Sequence, residues 1–295
     1  MNLTTLIQLV INGLAMGLLY ALPALGISLI WNASGLFNFA QGDLLTFGAY
    51  IMLSLFGRVG LPYAVSFLLT FLIMGSIGYI LSSIYFFPMF RARINPQIIL
   101  IGTVALSVFI RNAILLIWGP QAQSYQNPFG SSAIQFGEVY VMPHIFGIFI
   151  IVALLLGALQ LFLRGTITGI GMRAVAQRPV ASSLMGIKNN RMVALTFFMS
   201  TGIAAVSGIL IAPILPLTPE TGGMIAIKAF AAVLIGGLGS FSGALVGGIA
   251  VGITEMVFAT LLAPTYKDVF IFIVLAIFLV LRPGGIFRAQ ISEKV

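Results

Sequence analysis

The chain has 295 residues, with 14 Lys and Arg, 6 Asp and Glu, one His and no Cys, for a formal net charge of +8. Charged residues make up 7% of it, against about 25% in soluble domains, and 60% is hydrophobic. So few charges cannot clothe a soluble domain of this length, which rules out a cytosolic enzyme, a disordered chain and a nucleic-acid binder. The absence of Cys removes a disulfide framework and Cys-ligated metal, and a single His argues against a His-based cluster, so no metal site is expected. The composition is that of an integral membrane protein.

A helix crossing about 30 Å of hydrocarbon needs roughly 20 apolar residues. In chain order, such runs fall at 6–31, 61–87, 97–118, 144–163 and 192–212, with shorter ones at 41–57 and 267–281. The run 6–31 is span-length, and no Lys or Arg precedes Arg58, so it reads as a retained helix rather than a cleaved signal. The stretch 225–262 is interrupted at Gly236, Gly237, Gly239 and Gly243 and reads as two spans or a re-entrant hairpin. All these runs are too long and uniform for barrel strands. The expected fold is all-α: one polytopic membrane domain over 1–295, a helix bundle of about 8–9 spans with interrupted helices.

Charge placement orients the bundle. Arg164, Arg173, Arg178, Lys188 and Arg191 lie in 164–191, Arg91 and Arg93 in 88–96, and Arg282, Arg288 and Lys294 in the tail. Putting these in the cytoplasm leaves only Arg58, Lys228 and Lys267 outside and Arg111 within a span. The loop 119–143 has no Lys or Arg and carries only Glu138, as an outer loop would, and Ala133–Met142 could form a hairpin around Phe136-Gly137-Glu138. The N-terminus then lies outside and the C-terminus in the cytoplasm. The first four spans and the last four run in mirrored senses, each set with a short second member next to glycine. That is the outline of an inverted repeat, as in transporters whose pathway lies at the repeat interface.

Several residues stand out as pathway or gating candidates. The glycine run holds Gly236, Gly237, Gly239 and Ser240, followed by the small-xxx-small pairs Gly243–Gly247 and Gly248–Gly252. Close helix packing and an unwound, water-lining element are both compatible with it. Asn38, Gln41 and Asp43 lie between the first two spans. Asp43 suits a helix N-terminus, and a gating role is the other reading. Arg111 and Glu255 both fall about 10 Å from the outer ends of their spans. Opposite signs at one depth predict a charge pair, or two groups facing one aqueous cavity.

The segment 164–191 is helix-capable around Pro179. Val180 and Leu184 are i,i+4 neighbours, and Gly186 suits a helix C-terminus. Its apolar Leu184, Met185 and Ile187 fit an interfacial helix or docking into a soluble partner. The chain contains no Gly-x-x-x-x-Gly-Lys-Ser/Thr run and no arguable catalytic constellation, so it is not expected to be an enzyme. His144, at the outer start of a span, reads as interfacial.

Three blocks and the tail carry a family resemblance: Phe37-Asn38-Phe39-Ala40-Gln41-Gly42-Asp43; Met172-Arg173-Ala174 with Ala181, Gly186 and Ile187; Lys228-Ala229-Phe230 running into Gly236-Gly237-Leu238-Gly239-Ser240; and Arg282-Pro283-Gly284-Gly285-Ile286-Phe287. Over nearly its whole length the chain resembles the LivH-type permease of branched-chain amino acid ABC importers. The resemblance implies a bacterial inner-membrane pore subunit for branched-chain or other small neutral amino acids. Its implied partners are a LivM-like second permease, two ATP-binding subunits that hold ATP and Mg, and a periplasmic solute-binding protein. This chain itself would carry no cofactor. The resemblance also makes Arg173, Ala174, Ala181, Gly186 and Ile187 the segment that couples to the ATPase, although Arg173 stands where the general permease pattern has an acidic residue. An ion-coupled secondary transporter is the competing class. It usually needs intramembrane ionisable groups, of which Arg111 and Glu255 are the clear ones.

Overall fold

In a computed structural model, residues 3–92, 94–130, 132–136, 139–261 and 266–287 are described. The helices are α1 (Leu3–Ser34), α2 (Gln41–Met52), α3 (Tyr63–Leu81), α4 (Phe87–Arg91), α5 (Pro96–Trp118), α6 (Pro143–Gly165), α7 (Ile167–Gln177), α8 (Pro179–Leu184), α9 (Asn189–Ile211), α10 (Thr221–Gly236), α11 (Phe241–Leu261) and α12 (Lys267–Leu281). Six of them, α1, α3 with its extension, α5, α6, α9 and α11, are long and apolar enough to cross a membrane alone. The apolar runs became the helices expected of them, and 225–262 resolves into α10 and α11 joined at 237–240. Wider π-helical turns extend α2 over Leu53–Arg58 and α3 over Ser82–Phe86. The expected hairpin is present as β1 (Ile134–Phe136) paired antiparallel to β2 (Val139–Val141). Its turn at Gly137-Glu138 lies outside the described residues, as do Arg93, Arg288 and Lys294.

Two helices form the centre. α1 and α9 are buried along most of their length, whereas α3, α5 and α6 show one face inward and the rest outward. α1 packs on α11, α9 and α10, and α9 packs on α3, α1 and α2. Without a hydrophobic drive between helices in lipid, such seams depend on close van der Waals fit. The two glycine pairs of α11 supply it on two faces. Gly243 and Gly247 meet the α10 backbone at Gly236 and Ala232, while Gly248 and Gly252 meet α1 at Ala21 and Gly17.

The loops separate the two ends. At one end lie the end of α1, the α10–α11 turn, α7 and α8. Asn32 Nδ2 donates to the Gly239 carbonyl there (2.7 Å), and Leu163, Met172, Arg173 and Gly239 line one small cleft. At the other end the 119–133 loop bridges Gln123 to Leu217, and Gln8 reaches the hairpin at the Tyr140 carbonyl (3.1 Å). Tyr125 is buried beneath that loop, donates to the Ile209 carbonyl, and has its phenol pushed well above its ordinary range by burial.

A candidate translocation site at two broken helices

After α1 ends at Ser34, the chain turns back along the bundle before α2 begins. Asn38 shapes this return: its Oδ1 accepts from the Ala40 N–H (3.1 Å), an Asx-type turn that sets up the helix start. The Phe39 N–H donates to Thr103 of α5 (3.2 Å). Gln41 then anchors the start of α2. Its Nε2 donates to Ser200 Oγ (3.1 Å) and to the Ser200 carbonyl (3.2 Å), and Ser200 Oγ donates to the Gly26 carbonyl (2.9 Å). Gly26 lies eight residues before the end of α1, so α2 begins about 12 Å inside the bundle at 1.5 Å per residue.

α10 also begins inside. Its second residue, Gly222, lies against Gly42, the second residue of α2, and the contact is reciprocal. A Cβ on either glycine would overlap the carbonyl oxygen of the other. Two helix N-termini thus meet backbone to backbone in the interior, which only residues without a side chain permit. Aromatic rings stack over this junction: Phe39 on Phe230 (5.3 Å, 4° between planes) and Phe37 on Trp31 (4.4 Å).

Asp43 is fully buried in the first turn of α2. Its carboxylate accepts from Ser107 and from Arg111 Nε (3.4 Å) on α5. The expected pairing of Arg111 with Glu255 is therefore corrected. Arg111 pairs with Asp43. Glu255, fully buried on α11, is met by Lys228 (2.7 Å) on α10, Lys267 (2.8 Å) on α12 and the Tyr20 hydroxyl (2.7 Å) on α1. Lys228 also reaches Asp268 (2.9 Å). Lys228 was expected outside; it lies in the second turn of α10, buried. A matching residue count along two helices did not make Arg111 and Glu255 partners, because distance along a helix says nothing about the side a residue faces. If Asp43 and Arg111 are a pair, Arg111→Met alone should lower the melting temperature in detergent more than the Arg111→Met/Asp43→Asn double variant. Equal losses would deny the pair.

The remaining candidates sit elsewhere. Gly236, Gly237, Gly239 and Ser240 form the tight α10–α11 turn at the α7–α8 end. Gly237 and Gly239 take φ of 105° and 78°, and Ser240 Oγ accepts from the Gly243 N–H (3.0 Å) as the cap of α11. They join helices there and are remote from the α2–α10 junction. Arg173 and Ala174 lie on α7, Ala181 on α8, and Gly186, with φ of 82°, closes α8 as expected. Val180, Leu184 and Met185 are strongly exposed, while Ile187 is half-buried. His144 Nε2 donates to the Leu210 carbonyl (2.7 Å), a structural contact between α6 and α9. Sequence reading missed the clamp that fixes α8. Ser182 Oγ lies 2.9 Å from Asn189 Oδ1, and Asn189 Nδ2 donates to the Pro179 carbonyl (2.7 Å).

Residues 9–279 match the family model described as "Branched-chain amino acid transport system / permease component". The chain is 31% identical, over 98% of both chains, to the high-affinity branched-chain amino acid transport system permease protein BraD of Pseudomonas aeruginosa. It is 30% identical to the corresponding LivH of Escherichia coli K12, over 98% of this chain and 97% of that one. A probable branched-chain amino acid transport permease protein LivH of Methanocaldococcus jannaschii is 29% identical over 91% of this chain and 88% of that one. Among solved structures, PsaBC from Streptococcus pneumoniae in complex with Fab shares the fold, with a TM-score of 0.50, 11% identity and coverage of 92% and 91%.

Proposed function

Because the chain belongs to the family of permease components of branched-chain amino acid transport systems, we propose that it forms the translocation pathway of an ATP-binding-cassette importer for branched-chain or other small neutral amino acids. It is a multi-pass membrane protein. The observation that carries the reading is the meeting of two broken helices, α2 and α10, at Gly42 and Gly222 inside the bundle. Interrupted helices at membrane depth are found where they line a cavity or are buried in protein, and transporters place their sites at such interruptions.

The packing supports an inverted repeat in which α1, α2 and α3 correspond to α9, α10 and α11. α1 packs on α11 as α9 packs on α3, and α1 packs on α10 as α9 packs on α2. On this reading α2 and α10 are the short second members of each half, α12 completes a ninth crossing, and the pathway runs along their junction. The α7–α8 end, rich in Arg and Lys, faces the cytoplasm, with the N-terminus outside, in a bacterial inner membrane. A Cys at exposed Gln121 should then label from outside in intact cells, and labelling only after permeabilisation would reverse the orientation.

The partners follow from the same reading: a second, LivM-like permease, two ATP-binding subunits that hold ATP and Mg, and a periplasmic solute-binding protein. α8 offers the coupling surface, since Val180, Leu184 and Met185 are exposed on a short helix held rigid by Ser182 and Asn189. Leu184→Asp should leave the permease folded while ATP hydrolysis no longer responds to substrate and uptake falls at least about tenfold, a cost of about 1.4 kcal/mol at the interface. Normal uptake would remove α8 from the coupling role. The reading as a whole is tested by uptake of labelled L-leucine into cells, which should require ATP and survive an uncoupler that collapses the proton gradient. Uptake abolished by the uncoupler at constant ATP would favour the ion-coupled class instead.

A further inference from the structure

Beside the start of α2 lies a cleft of about 270 Å³ walled by α1, the 35–40 return, α10 and α12. Its lining is almost wholly apolar, with Ile227, Phe230 and Leu234 from α10, Phe272 from α12 and Phe39 from the return. Only Asn38 and Gln41 contribute polar side chains. Gln41 is 1% exposed, and although its Nε2 is spent on Ser200, its Oε1 is buried without any hydrogen-bond partner. A buried amide oxygen left unsatisfied costs about 1–3 kcal/mol, so its retention asks for a donor that comes from outside the chain. The positive end of the α2 dipole borders the same cleft.

The geometry points to this cleft as a resting site for the amino acid in transit, an inference that rests on the proposed transport function. Its volume of about 270 Å³ suits a small solute the size of leucine. The aromatic and aliphatic walls take the branched side chain, Gln41 Oε1 accepts from the ammonium group, and the carboxylate lies toward the N-terminal end of α2. Phe39, Ile227 and Phe272 are exposed at the mouth, so the cleft opens sideways from the bundle. Selection here is by an apolar pocket with one acceptor. That favours leucine, isoleucine and valine over glycine, and rejects acidic and basic amino acids, whose charged side chains would be left unpaired among Phe and Leu.

The test uses the complete transporter, permease with all partner subunits, in proteoliposomes. A leucine analogue carrying a diazirine is photolysed in place and its adducts are mapped by mass spectrometry, alongside uptake of labelled L-leucine. Adducts should fall on cleft residues such as Phe39 and Phe230, and excess L-leucine should compete them away. Gln41→Leu should reduce competed labelling at least about tenfold, the loss of one hydrogen bond to a charged group. Ile227→Trp, at an exposed position where the fold is not strained, should fill the mouth and abolish both labelling and uptake. A wild-type transporter that moves no amino acid would overturn the transport function itself. Wild-type uptake with adducts elsewhere, or with cleft adducts that leucine does not compete, as a lipid-filled cleft would give, would overturn the site alone. Full uptake and labelling by Ile227→Trp would do the same.

Discussion

Replacing Gly42 or Gly222 by valine should abolish transport and most of the folded yield. The two α-carbons face each other so closely that a Cβ on one overlaps the carbonyl oxygen of the other, and a Cβ on Gly222 also overlaps Thr46 Oγ1. No side-chain rotamer relieves a clash with backbone. The helices must move apart, and that unseats Gln41 from Ser200 and Phe39 from Phe230 together. Overpacking commonly costs about 1–3 kcal/mol, and backbone separation at a junction shared by two helices belongs at or above the top of that range. Gly60, whose added Cβ would meet nothing, is the control for membrane insertion if replaced by Asn, a residue that tolerates its φ of 78°. Monodisperse yield in detergent and leucine uptake are the two measurements. A Gly222→Val protein with wild-type yield and uptake would show that α2 and α10 do not meet as described.

The second large effect is expected at Glu255. Its carboxylate is fully buried and is the shared partner of Lys228, Lys267 and Tyr20. Glu255→Leu leaves two ammonium groups facing each other with only Asp268 to answer them. Removing one partner of a buried ion pair typically costs about 3–5 kcal/mol, much of it the cost of the stranded charge. Lys228→Met added to Glu255→Leu should therefore recover part of the lost stability, and that recovery is the decisive measurement by thermal unfolding. If the double variant is no better than Glu255→Leu, the cluster does not work through charge.

How much of this was legible in the sequence depends on the physics involved. Helix positions were legible because a long run of apolar residues is written in one dimension; 267–281 and 97–118 match α12 and the body of α5 almost residue for residue. The break between α10 and α11 was legible too, since Gly237 and Gly239 adopt positive φ. Charge partners were not. Counting residues along the two runs assigned Arg111 and Glu255 one depth, but rotation about each helix axis is set by packing on α2 and α10, which no hydropathy pattern encodes. Lys228 was misplaced because a lysine near the start of an apolar run looks like a boundary, yet α10 begins at Thr221 and carries it inside. The site was half legible. Asn38, Gln41 and Asp43 were singled out, whereas their counterpart Gly222 was not, because a glycine in a short loop gives no sign of the backbone it will touch. Ser182 and Asn189 were invisible for the same reason: a clamp is a relation between two residues, and neither alone is unusual.

The residues after α12 fold back onto the α10–α11 turn. The Ile286 N–H donates to the Ile235 carbonyl and the Phe287 N–H to the Gly236 carbonyl, both at 2.9 Å. These carbonyls end α10, and a helix leaves its last acceptors without partners of its own. Residues 286 and 287 are made after both α10 and α11. The α10–α11 turn therefore depends, for the partners of its last helical carbonyls, on a segment that comes later in the chain. A chain truncated after Gly285 should leave this turn more open to protease than the intact chain, and equal protection would show that the segment seals nothing. The end of α10 is thus closed by backbone from beyond α12 rather than by its own neighbours.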